Sequence, residues 1–231
     1  MGSLLLTVDQ VLRGEGVFSS VQPQTIPSRQ QTWEQFRVIA LCGALYGGLM
    51  GGFGGVWGDG WKQILLSACK VPSLFLVTCV LCLPPFYVMN ALAGLQPDFS
   101  RVLRALLGFQ CLASIVLAAM APLTLLMNLS SDFYGFILLW NGLIFAVASL
   151  SGHFLMSRLY RPLIQSNALH AIFLRVWIFL YTFVGIQMAW VLRPFVGSPN
   201  LSFQIFRREA WGNAYIEMFN LVLRVLRSYL H

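Results

Sequence analysis

The residues that could do chemistry in this chain are few and far apart. Its 231 residues include three histidines, eight carboxylates and five cysteines. His153 falls near the end of an apolar run, His170 in the loop that follows, and His231 is the last residue. Acid–base, nucleophilic and metal-assisted catalysis each need several such groups held together. The sequence contains no H-E-x-x-H, no G-x-S-x-G and no paired carboxylates. Asp59, Asp98 and Asp132 sit in short links, and no Asp or Glu lies inside an apolar run. Cys79 and Cys82 form a C-x-x-C within VTCVLCLPP, but no second Cys or His pair follows to complete a metal site. Together with Cys42, Cys69 and Cys111 they read as small buried hydrophobes. His153 alone could approach a pigment or haem, and it reads more simply as a helix-end residue. The expectation is a chain with no catalytic residue, no metal and no cofactor.

The remaining polar groups lie within apolar segments: Asn90, Gln110, Asn141 and Gln187. They have two readings, a narrow polar path across a membrane or hydrogen bonds between helices, and the second is favoured. An ion-coupled carrier would place acids at that depth, and there are none. Arg193 stands before Pro194 where an apolar run stops. It is expected to touch lipid phosphates or a partner's tail, as are Arg224 and Arg227 near the C-terminus.

The elements that must position these residues follow from composition. Hydrophobic residues make up 58% of the chain and charged residues 10%, and the mean hydropathy is +0.72. Soluble domains carry about a quarter charged residues, so this chain is solvated by lipid. Its apolar runs are long and unbroken, which excludes a β-barrel and requires helices. The net charge of +7 comes mostly from arginines at segment ends, with no basic cluster that would suit nucleic acid. The fold class expected is an all-α polytopic transmembrane bundle of about five spanning helices, with amphipathic interfacial helices at both ends.

Residues 1–36 are expected to hold a short amphipathic helix (3–13, ended by Gly14) and a loop with Pro23 and Pro27. The bundle is expected over 37–196, with spans near 38–57, 71–93, 102–127, 133–156 and 171–195. Residues 60–70 read as an interfacial or re-entrant turn, divided from the second span by Lys70 and Pro72. Pro84 and Pro85 should kink or unwind that span. Residues 197–231 read as a C-terminal amphipathic helix, because Asn213, Glu217, Asn220, Arg224, Arg227 and His231 step by four and three. Lying in the interface is the simpler placement for it; a sixth span is the alternative.

The first span is crowded with glycine. Gly43, Gly47, Gly48, Gly51, Gly52 and Gly55 give repeated G-x-x-x-G steps, which make a flat face for a second helix backbone. That helix belongs either to this chain or to a membrane-protein partner or second copy. Arg101 and Arg104 flank one link and Arg158 and Arg161 another, while NLSSD has no cation, so the N-terminus is expected in the cytoplasm.

The segments KVPSLFL, FYVMNALAG and MAWVLRPFVGSP, with the glycine-rich first span before them, resemble the Yip-family membrane proteins. They are closest in look to a bacterial group of multi-span proteins at the edge of that superfamily. The likeness runs over roughly residues 36–215. It implies a five-span scaffold with a cytoplasmic N-terminus and no enzymatic activity, and it brings no binding residues. The function expected is a non-enzymatic membrane scaffold or accessory subunit packing through the glycine-rich span. A small permease or channel lined by Asn141, Gln187 and a break at Pro84–Pro85 is one alternative. An accessory subunit of a pigment or redox complex is the other.

Overall fold

A computed structural model describes residues 2–13, 29–55, 57, 60–197, 205–206, 216, 219–220 and 223. Lipid offers no partner to a backbone amide, so apolar runs satisfy their backbone internally as helices. The result is an all-α bundle: α1 (Gly2–Arg13), α2 (Arg29–Gly51), α3 (Gly60–Leu92), α4 (Phe99–Ser130), α5 (Tyr134–Ser166) and α6 (Leu169–Leu192). Short 3-10 turns at Gly52–Gly54 and Gln96–Asp98 follow α2 and precede α4. There is no strand among the described residues. Five helices, α2 to α6, are long and apolar enough to cross a membrane, which makes this a multi-pass membrane protein.

The helices alternate in direction, so the bundle has two ends. One holds the starts of α2, α4 and α6 and the stops of α3 and α5; the other holds the opposite termini. Helix α2 packs on α3 and α4, α4 on α5, and α6 on α3 and α5. Helix α1 rests on α2 and α4 through Leu4, Val8 and Val11, while Leu5, Leu6 and Leu12 face outward.

Three boundaries differ from expectation. Residues 60–70 are not a separate turn: α3 runs unbroken from Gly60 to Leu92, with Pro72, Pro84 and Pro85 inside it. Unwinding at Pro84–Pro85 would expose further carbonyls to hydrocarbon, whereas a continuous helix loses only the bonds that proline itself removes. Helix α5 continues ten residues past the expected stop at 156, to Ser166, because Leu159, Tyr160 and Leu163 still have core to pack against. Helix α2 begins at Arg29 and ends at Gly51, short of the expected 57. Gly55 has φ of 92°, a left-handed turn that ends the glycine run. At 33, 32 and 33 residues, α3, α4 and α5 are each roughly 50 Å long, well beyond a hydrocarbon core of about 30 Å.

Aromatic rings fill the centre. Phe86 meets Trp177 at 4.9 Å, Trp177 meets Tyr181 at 5.5 Å, and Tyr181 meets Phe109 edge-on at 5.0 Å. Gly152 sets the register of α4 on α5. A Cβ there would lie 2.6 Å from the Phe109 ring and 2.9 Å from its carbonyl oxygen.

Candidate functional site

The polar residues of the bundle gather in two places, a notch at the end where α2 stops and a network in the core. The notch starts with the glycine ladder. A Cβ on Gly43 would lie 3.1 Å from the Pro72 ring, one on Gly47 would run into the Ser67 carbonyl, and one on Gly51 would lie 2.9 Å from the Gln63 carbonyl oxygen. Gly48 and Gly52 face Ile64 at ordinary contact distance. The G-x-x-x-G face of α2 is therefore covered by α3 of the same chain. Gly55 departs from the ladder: nothing lies within 4 Å of where its Cβ would be.

Against this close pair of helices lies the segment that follows α6. Arg193 is joined to Pro194 by a cis peptide, and Phe195, Val196 and Gly197 are buried. Side chains at 4- and 3-residue spacing on one face of α3 hold that segment. Gln63 Nε2 donates to the Pro194 carbonyl at 3.1 Å and to Ser67 Oγ at 3.0 Å. Ser67 Oγ donates to the Phe195 carbonyl. Lys70 Nζ donates to the carbonyls of Pro194 at 3.1 Å and Ile205 at 2.6 Å. The Lys70 ammonium also lies 5.1 Å from the Phe206 ring centre and 5.9 Å from that of Phe195. With 5% of its surface exposed, Lys70 is a buried cation held by carbonyl dipoles and ring faces. Gly197 closes the notch, its Cα face set against Gly51 and Gly54. The Arg193 guanidinium stacks on Trp190, 3.2 Å from the ring centre.

The core network joins three helices around Asn141, which is fully buried. Tyr46 of α2 donates its hydroxyl to Asn141 Oδ1 at 2.8 Å, and Asn141 Nδ2 donates to the Ile137 carbonyl at 2.8 Å. Thr124 of α4 reaches the Tyr46 oxygen at 3.5 Å. Gln110 of α4 donates to the Phe75 carbonyl of α3 at 3.3 Å, and Asn90 to the Phe86 carbonyl of its own helix at 2.8 Å. Gln187 is half-buried on α6 and outside this network. Pro84 and Pro85 face outward on an unbroken α3 instead of forming a gap. Asn128, in N-L-S, is part of α4 and donates to the Leu49 carbonyl at 3.0 Å.

The titratable residues stay dispersed. His153 stacks on Phe109 at 4.6 Å. His170 is not in a loop but is the second residue of α6, fully buried, with Nε2 3.3 Å from Asp98 Oδ2. Asp98 also accepts from Arg101 at 3.0 Å, so the link before α4 is tied to the start of α6. Cys79, Cys82 and Cys111 are buried free thiols, and Cys69 is exposed on α3. No group of three His, Cys, Asp or Glu could hold a metal ion among the described residues. The C-terminal amphipathic helix expected over 197–231, with Arg224 and Arg227, lies outside the described residues except for a few positions.

Gln63 and Ser67 are not singled out by the sequence, and Lys70 and Pro194 stand out there only as segment boundaries. Their signal is a polar stripe at helical spacing in an otherwise apolar run. Its counterpart, the carbonyls of Pro194 and Phe195, carries no side-chain signature. Two of the resembling segments, KVPSLFL and MAWVLRPFVGSP, meet here through Lys70 and Pro194. The fold defines a multi-pass α-helical membrane protein. Comparison of the chain with family models, curated proteins and solved structures finds no match.

Proposed function

We propose that the chain is a non-enzymatic integral membrane scaffold or accessory subunit of a membrane protein complex. The observation that carries this reading is the state of the polar interior. Asn90, Gln110 and Asn141 are each committed to a carbonyl or hydroxyl inside the bundle. Gln110 and Asn141 brace neighbouring helices in this way, which supports a packing role over a solute path. The glycine ladder serves the same end, joining α2 to α3. A partner or second copy would then sit on the outward faces, where Phe179 and Phe183 of α6 stack side by side, 6.3 Å apart, with both rings exposed. The resemblance to the Yip-family proteins and their bacterial relatives agrees with a scaffold. The arginine bias supports a cytoplasmic N-terminus.

Gentle affinity purification from native membranes tests this reading. A stoichiometric membrane-protein partner or second copy is expected, lost on Phe179→Ala/Phe183→Ala substitution. A monomer without partners after in-membrane cross-linking contradicts it, as does substrate flux through reconstituted liposomes.

A further inference from the structure

At the end where α4 starts and α5 stops, arginines outnumber acids among the described residues. Asp9 is paired with Arg13, Glu34 with Arg37, and Asp98 with Arg101 and His170. Arg104, Arg158 and Arg161 have no ion pair with any described residue, and the last two are exposed. Residues three apart share a helix face. The close approach of Gly152 to Phe109 fixes the antiparallel register, which sets residue 101 opposite 160 and residue 104 opposite 157. Two R-x-x-R steps, Arg101/Arg104 on α4 and Arg158/Arg161 on α5, therefore stand at one level on neighbouring helices.

The α5 step continues an apolar stripe. Leu150 and Phe154 are 68% and 74% exposed, and Leu150, Phe154, Arg158 and Arg161 follow one another by four, four and three residues. The stripe is hydrocarbon up to Phe154 and guanidinium beyond it. Acyl chains suit its first part. A phosphate suits its second, because guanidinium binds phosphate oxygens in bidentate fashion. Basic clusters between helices at the membrane face hold anionic lipid headgroups in this way. An acidic soluble peptide would have no use for Leu150 and Phe154. From this juxtaposition of hydrocarbon and guanidinium on one exposed face of α5 we infer that Arg158 and Arg161 form a headgroup site for an anionic glycerophospholipid, with its chains along Leu150 and Phe154. The inference needs only the membrane-spanning fold and is independent of any protein partner.

The test uses the full chain in neutral detergent, titrated with phosphatidylglycerol and read by native mass spectrometry and by the thermal unfolding midpoint. Phosphatidylglycerol should bind more tightly than phosphatidylcholine and raise the midpoint. Arg158→Gln/Arg161→Gln should weaken phosphatidylglycerol binding by about 30-fold, at the usual contribution of an arginine at an anionic surface. Phosphatidylcholine binding should stay unchanged, which shows that the variant is folded. Lys62→Gln, at the opposite end, should bind as the parent does. Equal binding of the two lipids, or undiminished binding by the double variant, overturns the proposal. So does an equal midpoint shift from inorganic phosphate, or full competition by a polyglutamate peptide; the first would indicate a soluble anion and the second an acidic protein.

Discussion

The two ends of the bundle handle positive charge in opposite ways. At the notch, Lys70 is buried and its ammonium is satisfied from within, by the carbonyls of Pro194 and Ile205 and the rings of Phe195 and Phe206. At the other end, Arg158 and Arg161 are exposed, and Glu34 and Asp98, the described carboxylates of α2 and the link before α4, are already paired. A cation satisfied by backbone stabilises the fold. A cation left facing the headgroup layer does little for the fold and is available for binding. The same chemical charge therefore has a structural meaning at one end and an interfacial meaning at the other.

Substitutions at the two ends should separate these meanings. The largest effect is expected from Gly47→Leu. Its side chain would enter the space of the Ser67 backbone, which cannot rotate away as a side chain can. A loss of more than about 3 kcal/mol is expected, seen as failure to recover monodisperse protein by size exclusion. Gly48→Ala, one position on, has room at 3.7 Å from Ile64 and should stay within about 0.5 kcal/mol. Next comes Lys70→Met, which keeps the apolar stem but removes the ammonium. The Ile205 carbonyl then loses its Lys70 donor, and about 2 kcal/mol should be lost in denaturant unfolding, with earlier proteolysis after residue 193. An unchanged midpoint would show that the notch does not hold the segment.

Smaller effects follow in the core and at the basic end. Asn141→Leu removes an interhelical bond from Tyr46, and such bonds contribute about 0.6 kcal/mol on average in membrane proteins. A double-mutant cycle with Tyr46→Phe measures that coupling directly. The smallest stability effect belongs to Arg158→Gln/Arg161→Gln, expected within about 0.5 kcal/mol in neutral detergent. A large loss there would erase the contrast between the ends.

The spans themselves are legible in the sequence, because an apolar run of twenty residues without acids has few places to go. What the sequence conceals is which partner each feature meets. Lys70 looks like a boundary, since a cation in an apolar run ordinarily marks the interface; its acceptors are backbone atoms 124 and 135 residues away. The glycine ladder announces a close helix contact without saying whose helix, and Pro72 and Ser67 on α3 supply the answer. His170 follows a stretch with Arg158, Arg161 and Pro162 that reads as a loop, and its burial depends on Asp98, 72 residues earlier. Asn141 is legible as a residue that bonds between helices, although the donor it accepts from, Tyr46, passes for an ordinary aromatic.

The account depends most on the alternation of helices that puts the two R-x-x-R steps at one end and the α4–α5 link at the other. Single cysteines at Gln96, Arg161 and Asp132, each in a cysteine-free background, can be probed with a membrane-impermeant thiol reagent in sealed, oriented vesicles. The fold predicts that positions 96 and 161 react from the same side and position 132 from the other. Labelling of 96 and 132 from one side would contradict it.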